Sequence, residues 1–527
     1  MHRDVSALSS GPFDLLVVGG GIYGAWAACD AARRGLTVAL IERTDWGAGT
    51  SSASSKLIHG GLRYLEHGWI RLVRKTLKER ELLTQLGPHR IRPLRVVLPV
   101  DRGGRRSAFQ LRIGLTMYDW LAPRESAWAC HRRIDSGELA GTYGFLSAQD
   151  LDGAFEYGDA VTDDARFVLE IVDGGLCAGA VAANHVEALE LLGTDGGVEG
   201  VLAEDHLTGQ RFDIRARLTL AAAGPWLAGP PFRAEAAPNP IRRAKGVHLV
   251  LPALPTDRAV LLTARSDGRP IFLIPWLGRT LVGTTDTPFE GPAGGERVED
   301  RDVDYLLTES RRALVDQPWS ESDVVGSFVG VRAMVSSRAT NPAAVPREWR
   351  LAEPARGLML SLGGKLTSAR VDAARAVDAV ARRFGRGLAS STTGSNPFPW
   401  TPDGVFSDWL NVAVGRGERL GLDPDAARAL ALRYGRNVDR LHALLAAEPA
   451  LAARITPACP LVMAEVVHAT RHEMAATVED VLRRRVPVAI LAGTDNAAVA
   501  AATQLVEREL HEARTITPGR SMPPLRG

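Results

Sequence analysis

Apolar and polar positions along this chain switch between a strand-like and a helix-like period, and the switches predict its elements. Phe13 to Val18 is a short apolar run that fits a buried parallel strand. Gly19-Gly20-Gly21-Ile22-Tyr23-Gly24 follows, then a helix-like stretch to Arg34, then Gly35 and a second apolar run, Leu36 to Ile41, closed by Glu42. Strand, turn, helix and strand in about thirty residues make a βαβ unit. From Gly61 to Leu86 the pattern is helical and charged. Arg102 to Leu121 is basic, with Phe109, Ile113, Leu115, Met117, Trp120 and Leu121 interleaved. A second α/β block runs from about Asp163 to Trp226 and holds a strand at Leu218 to Ala222, and Gly229 to Pro240 reads as a linker. Strand-like runs at Val247 to Leu251, Ala259 to Leu262, Ile271 to Ile274 and Thr280 to Val282 predict a mainly antiparallel sheet. Leu358 to Leu362 returns to a buried strand and leads into Gly363-Gly364-Lys365. The polar stretch from Gly387 to Asp403 marks a domain boundary. Beyond it nearly everything reads as Ala/Leu/Arg-rich helix, up to a Pro-rich tail after Thr517, with no internal repeats.

Composition narrows the classes. At 527 residues the chain is too long for one core, and 45 % apolar residues exclude a disordered or fibrous protein. A net charge of +2 gives no global field for nucleic acid, so an anionic partner would be met locally. Cys29, Cys130, Cys177 and Cys459 are scattered, which suits reduced thiols in the cytoplasm. The first residues predict no signal peptide, and the most apolar stretch, Leu15 to Ala32, is broken by glycines. A membrane would therefore be met from one side. The chain holds only five lysines, Lys56, Lys75, Lys78, Lys245 and Lys365, against an arginine background. A lysine kept in such a background marks a place that wants a compact amine.

Two motifs carry the chemistry. In Gly19-x-Gly21-x-x-Gly24 the glycines allow a tight turn and close approach of backbone to a pyrophosphate, and the following helix offers its free amides. Glu42, 23 residues after Gly19, is placed to accept from ribose hydroxyls. The motif predicts a dinucleotide without choosing FAD over NAD. The second, Thr50-Ser51-Ser52-Ala53-Ser54-Ser55-Lys56-Leu57-Ile58-His59-Gly60-Gly61-Leu62-Arg63-Tyr64-Leu65, crowds hydroxyls, amines and glycines into sixteen residues. Hydroxyls and amides suit phosphates and a ribityl chain, and Arg63 suits a phosphate dianion held bidentately.

That second motif resembles the signature of the FAD-dependent glycerol-3-phosphate dehydrogenases. Glu156-Tyr157-Gly158-Asp159, Asp163-Asp164-Ala165-Arg166, Ala222-Ala223-Gly224-Pro225-Trp226, Lys245-Gly246-Val247-His248, Ile274-Pro275-Trp276, Gly283-Thr284-Thr285-Asp286, Gly330-Val331-Arg332 and Gly363-Gly364-Lys365-Leu366-Thr367 agree in order. Glu465 to Arg485 resembles that family's C-terminal domain. The resemblance implies an α/β (α+β) fold: a Rossmann-like FAD lobe interleaved with an antiparallel substrate lobe over residues 12–390, and a helical domain over 400–517. It implies non-covalent FAD held by Gly19, Gly21, Gly24, Glu42, Thr50, Ser51, Ser52, Lys56, His59, Gly60, Gly224, Gly364, Lys365, Leu366 and Thr367. It places Arg63, Tyr64, Arg332 and Arg347 on the substrate phosphate, and His248, Lys365 and Arg332 at the reacting carbon. The implied reaction is oxidation of glycerol 3-phosphate. Hydride goes to flavin N5, and electrons pass to quinone at the inner face of the cytoplasmic membrane, where the protein sits peripherally. A homodimer is compatible with this. Histidine suits the base and a lysine ammonium the developing alkoxide. The chain departs from the family at Ala333-Met334 and Ser368-Ala369-Arg370, beside the key residues. An oxygen-using glycerol-3-phosphate oxidase, an amine- or amino-acid-oxidising flavoprotein, and a non-catalytic flavin-binding or membrane-docking protein are the alternatives.

Two further features have plain readings. His468 and His472 stand four apart next to Glu473, a metal-ligand spacing, but a solvated helix face with no metal is the expectation. Arg102 to Leu121 fits either an anionic lipid surface or a domain-packing helix.

Overall fold

The computed structural model describes residues 1–123, 130–147, 150–193, 196–233, 239–315, 319–336, 348–385 and 387–515. The apolar run Leu15 to Val18 needs cover on both faces, and the strand Phe13–Val18 finds it at the centre of a parallel sheet. Val38–Ile41 pairs on one side and Arg211–Ala221 on the other, both parallel. The sheet extends to Val181–Ala183 beyond the first and to Leu358–Gly363 beyond the second. Trp349–Ala355 closes that edge antiparallel. Val186–Leu192 and Gly200–Asp205 form a meander on the first half of Arg211–Ala221. Helices Ile22–Arg33, Asp164–Cys177 and Ala369–Phe384 pack on the sheet through Trp26, Phe167 and Val377.

The second sheet runs Thr287–Pro288, Ile241–Pro252, Arg279–Gly283, Pro270–Trp276, Ala259–Thr263, Ile91–Asp101, Leu151–Thr162, Leu57–Ile58. Gly326–Val335 also pairs with Ile241–Pro252. Pairing is antiparallel except between Ala259–Thr263 and Ile91–Asp101. Because Leu57–Ile58 belongs to this sheet, the serine-rich loop before it crosses from one sheet to the other. The stretch from Gly61 to Leu86 is helical in two pieces. A 3-10 segment, Leu62–His67, ends at Gly68 in the left-handed region, and the α-helix Ile70–Leu86 follows.

The C-terminal helices Phe406–Arg419, Pro424–Tyr434, Val438–Ala447, Met463–His472 and Asn496–Thr515 share a core with the second sheet, where Trp276, Leu281 and Phe328 meet Leu461, Val488 and Leu491. Buried ion pairs lock them to the first part of the chain, Arg166 with Glu473 and Arg433 with Asp163, each at 2.6 Å, and Arg433 also pairs with Glu465 of the neighbouring C-terminal helix at 3.0 Å. This corrects one expectation. His468 is 1 % exposed, not on a solvated face, because its ring packs edge-on against Tyr434 and its Nε2 lies 3.5 Å from the same Glu473 carboxylate.

Candidate active site

Between the two sheets lies a cavity of about 870 Å³, near the upper end of small-molecule sites. One end is built by the βαβ unit. Gly19, Gly21, Glu42, Thr50, Ser51 and Gly224 line it. Gly24 faces away and packs so closely that a Cβ there would lie 1.9 Å from the Gly19 carbonyl oxygen, which fixes the turn. Ser51 accepts from the Ile22 amide at 3.0 Å, capping the helix beside the cavity. The Glu42 carboxylate accepts from the Gly20 amide at 2.7 Å and the Thr44 amide at 3.0 Å; burial raises its pKa. Trp226 lines the same end under the Arg43 guanidinium, and its buried indole N–H meets no acceptor among the described residues. A glycine turn leading into a helix N-terminus, an acid directly after the second strand and an orphaned donor at one end of the cavity fit a dinucleotide.

The other end faces the second sheet. Gly246, His248, Phe328, Gly330 and Arg332 share one face of Ile241–Pro252 and Gly326–Val335, since Gly246 opposes Gly330 and His248 opposes Phe328. Gly246 leaves room for the Arg332 guanidinium, which lies 2.5 Å from where a Cβ would be and would have to shift if one were added. That guanidinium donates to Thr284 Oγ1 at 2.9 Å and to the Asp286 carboxylate at 3.1 Å. His248 stacks on Phe328 with centroids 4.9 Å apart, and its Nε2 lies 2.8 Å from Ser55 Oγ. Burial, then the charges of Arg332 and Lys56, hold its pKa well below the ordinary imidazole range, so the ring is neutral. Lys365 enters from the loop after Leu358–Gly363. Its amide donates to Tyr23 Oη at 2.9 Å, and its ammonium donates to the His59 carbonyl at 2.6 Å and sits 5.3 Å over the Tyr64 ring. Arg63 lies 5.5 Å over that same ring. His59 is likewise held neutral by burial and by the nearby Lys365 and Arg63.

The structure thus brings Arg63, Tyr64, His248, Arg332, His59, Gly364, Lys365 and Leu366 to the cavity wall together with the dinucleotide residues. It does not bring all of the expected residues there. Lys56 turns away into a buried pair with Asp164 at 2.6 Å, which anchors the serine-rich loop to helix Asp164–Cys177. The Gly60 amide donates to Asp159, a carboxylate also held by Arg80 and Tyr118, so Gly60 faces a helix rather than the cavity. Ser52 is buried in the 3-10 turn Thr50–Ser52, and Thr367 is buried where its hydroxyl accepts from the His59 amide. Arg347 lies outside the described residues. Lys245, another of the scarce lysines, pairs with Glu299 and Asp302 away from the cavity. Sequence reasoning missed Ser55, Tyr23, Phe272, Arg269 and Asp286, all but Phe272 through polar contacts. Phe272 packs edge-on against His59, and Arg269 and Asp286 flank Arg332.

The chain matches the family model described as FAD dependent oxidoreductase over residues 14–384, and the C-terminal domain of alpha-glycerophosphate oxidase over residues 404–515. It is 32 % identical over 501 residues to the aerobic glycerol-3-phosphate dehydrogenase of Staphylococcus haemolyticus, covering 92 % of this chain and 89 % of that one. It is 34 % identical over 485 residues to glycerol-3-phosphate dehydrogenase 2 of Mycobacterium tuberculosis, covering 92 % and 82 %. Its fold is similar to the glycerol-3-phosphate dehydrogenase of Bacillus halodurans complexed with FAD, with a TM-score of 0.78, 28 % identity and 98 % and 93 % coverage. The L-alpha-glycerophosphate oxidase of Mycoplasma pneumoniae shares the fold at a TM-score of 0.59 and 18 % identity, over 74 % of this chain and 100 % of that one.

Proposed function

The chain belongs to the family of FAD-dependent glycerol-3-phosphate dehydrogenases, and from that premise we propose that it oxidises sn-glycerol 3-phosphate to dihydroxyacetone phosphate and delivers the electrons to membrane quinone. In this reading the flavin domain covers residues 12–390 and the helical domain 400–517. The observation that carries the substrate is the meeting of Arg63, Lys365, Arg332 and a neutral His248 at one end of a dinucleotide cavity. Gly19, Gly21, Glu42, Thr50, Ser51, Gly224, Gly364 and Leu366 would hold FAD, which when bound supplies the hydride acceptor. Arg332 and Arg63 hold the phosphate, and Asp286 aims Arg332. His248 takes the C2 hydroxyl proton, and Lys365 steadies the negative charge that gathers on that oxygen.

The direct test is anaerobic mixing of purified protein with glycerol 3-phosphate. Rapid bleaching of the flavin's visible absorbance is expected; bound flavin that stays oxidised would overturn the substrate. Reoxidation by quinone far faster than by oxygen is expected of the dehydrogenase, whereas rapid peroxide formation would favour the oxidase reading. Because burial, Arg332 and Lys56 all disfavour the imidazolium, the base stays deprotonated as pH falls. The acid limb of the reductive kcat/KM should therefore lie below the ordinary histidine value of about 6.5, once the substrate phosphate's own ionisation is factored out. A limb centred at or above that value would refute the neutral-base assignment.

Helix Ala108–Leu121 supports the membrane contact. It packs through Leu115, Tyr118 and Leu121 and turns Phe109, Ile113, Met117 and Trp120 outward, with Phe109 71 % and Trp120 80 % exposed. One face of the helix thus packs on the domain, and the exposed apolar face supports the lipid reading. Ile70, at the start of helix Ile70–Leu86, is also exposed, and exposed Arg71 and Arg74 on that helix, Arg112 on Ala108–Leu121 and Arg105 just before it suit anionic headgroups. No described helix is long and apolar enough to cross a membrane. Joint Phe109→Asp and Trp120→Glu replacement should cut binding to anionic vesicles at least about tenfold. Flavin reduction by substrate should be unaltered. Undiminished vesicle binding would discard this surface.

A further inference from the structure

The C-terminal helices reach the cofactor end of the cavity. Thr477, Glu479, Asp480 and Arg484 line it alongside Glu42, Arg43 and Thr44. Arg484 donates from Nε to Asp45 at 2.6 Å and from Nη2 to Asp480 at 2.7 Å. Arg485 also holds Asp45, which is fully buried, as does the Asn184 amide at 3.0 Å. Asp480 in turn accepts from His185 Nε2 at 2.9 Å, and the His185 amide donates to the Thr44 carbonyl.

Asp45 sits at a sensitive place. It opens the segment whose next residue, Trp46, packs its ring where a Cβ on Gly20 would be, at 2.4 Å. Ala48, Gly49, Thr50 and Ser51 of the same segment line the cavity. The dinucleotide wall is thus tied to the helical domain by ion pairs. A buried carboxylate beside a site for an anionic pyrophosphate is tolerable only if neutralised locally. Nothing else on the flavin domain's own strand supplies a cation to Asp45 in the described residues; the pairs come from 439 and 440 positions away.

We propose that the helical domain is a functional part of the cofactor site: Arg484, with Arg485, neutralises Asp45 and Asp480 at the cavity wall and so retains the anionic dinucleotide. This rests on the FAD reading above. Arg484→Met keeps the length of the side chain and removes its charge. Its FAD dissociation rate, followed by the recovery of free-flavin fluorescence on dilution, should rise about tenfold or more over wild type. The excess should shrink as salt screens the Asp480 carboxylate, which lines the cavity and loses its Arg484 partner, and a merely structural defect would not respond in this way. Arg471→Ala, which breaks the Arg471–Glu509 pair elsewhere in the domain, should release FAD at the wild-type rate. A wild-type rate in folded Arg484→Met, or an excess that salt does not reduce, would overturn the proposal. If that variant does not fold, hydrogen exchange of wild-type residues 476–486 with and without FAD decides: FAD should slow it, and unchanged exchange would overturn the inference. A wild-type protein that binds no FAD would instead remove the reading on which it rests.

Discussion

Replacing His248 with alanine should slow flavin reduction by glycerol 3-phosphate about 10²–10⁴-fold, the usual contribution of a positioned base. The ring is held for that role from three sides. Phe328 stacks on it, Gly283 leaves room for its edge, where a Cβ would lie 2.3 Å from Cδ2, and Ser55 meets Nε2. The phosphate contacts lie elsewhere, so substrate affinity should change little while the limiting rate falls. Stopped-flow reduction under anaerobic conditions separates the two. A wild-type limiting rate in His248→Ala would take the base role from this residue and leave Lys365 as the polar group at the reacting oxygen.

Arg332→Ala should act in the opposite way. With a guanidinium partly open to the cavity and aligned by Thr284 and Asp286, its loss removes a charge-assisted phosphate contact. The expected decrease in kcat/KM corresponds to about 2–4 kcal/mol, expressed mainly as a raised KM. Arg332→Lys should recover little, because a point charge cannot satisfy the hydroxyl, the carboxylate and a phosphate in one plane. An unchanged kcat/KM in Arg332→Ala would show that the phosphate binds elsewhere, with Arg63, Arg269 and Lys365 among the remaining cations of the wall.

Residues whose roles depend on local backbone were legible in the sequence. The glycine turn, Glu42 at the end of its strand and the hydroxyl-rich loop all act within a few residues of their own fold element, and each lines the cavity. Lys365 was singled out by the scarcity of lysine and does enter the site, but the same argument misled at Lys56, whose ammonium is consumed by Asp164. Sequence type cannot distinguish a cation that faces a ligand from one that meets a carboxylate 108 positions later. The strands Ile91–Asp101 and Leu151–Thr162 were missed for a related reason. The first carries Pro93, Pro99, Arg92 and Arg95, and the second carries Gly153, Glu156, Gly158 and Asp159, so neither reads as apolar alternation. Their polar groups are satisfied by partners far along the chain, Glu156 by Arg132 and Asp159 by Arg80 and Tyr118. His468 was misread because the Glu473–Arg166 pair that buries its surroundings spans 307 positions.

The strand order of the parallel sheet also sets a timetable for synthesis. Phe13–Val18 is made well before its flank is completed by Arg211–Ala221 and then by Leu358–Gly363, and the covering helix Ala369–Phe384 comes later still. Lys365 and Leu366, which line the cleft, follow that last strand. A chain still emerging from the ribosome therefore carries the glycine turn long before it carries a cavity, and its early sheet waits with an open hydrogen-bonding edge. The whole wall of the cleft exists only once Arg484 has been made. A shortage of flavin would thus leave completed chains with an unfilled cleft, and these should be the forms most open to proteolysis.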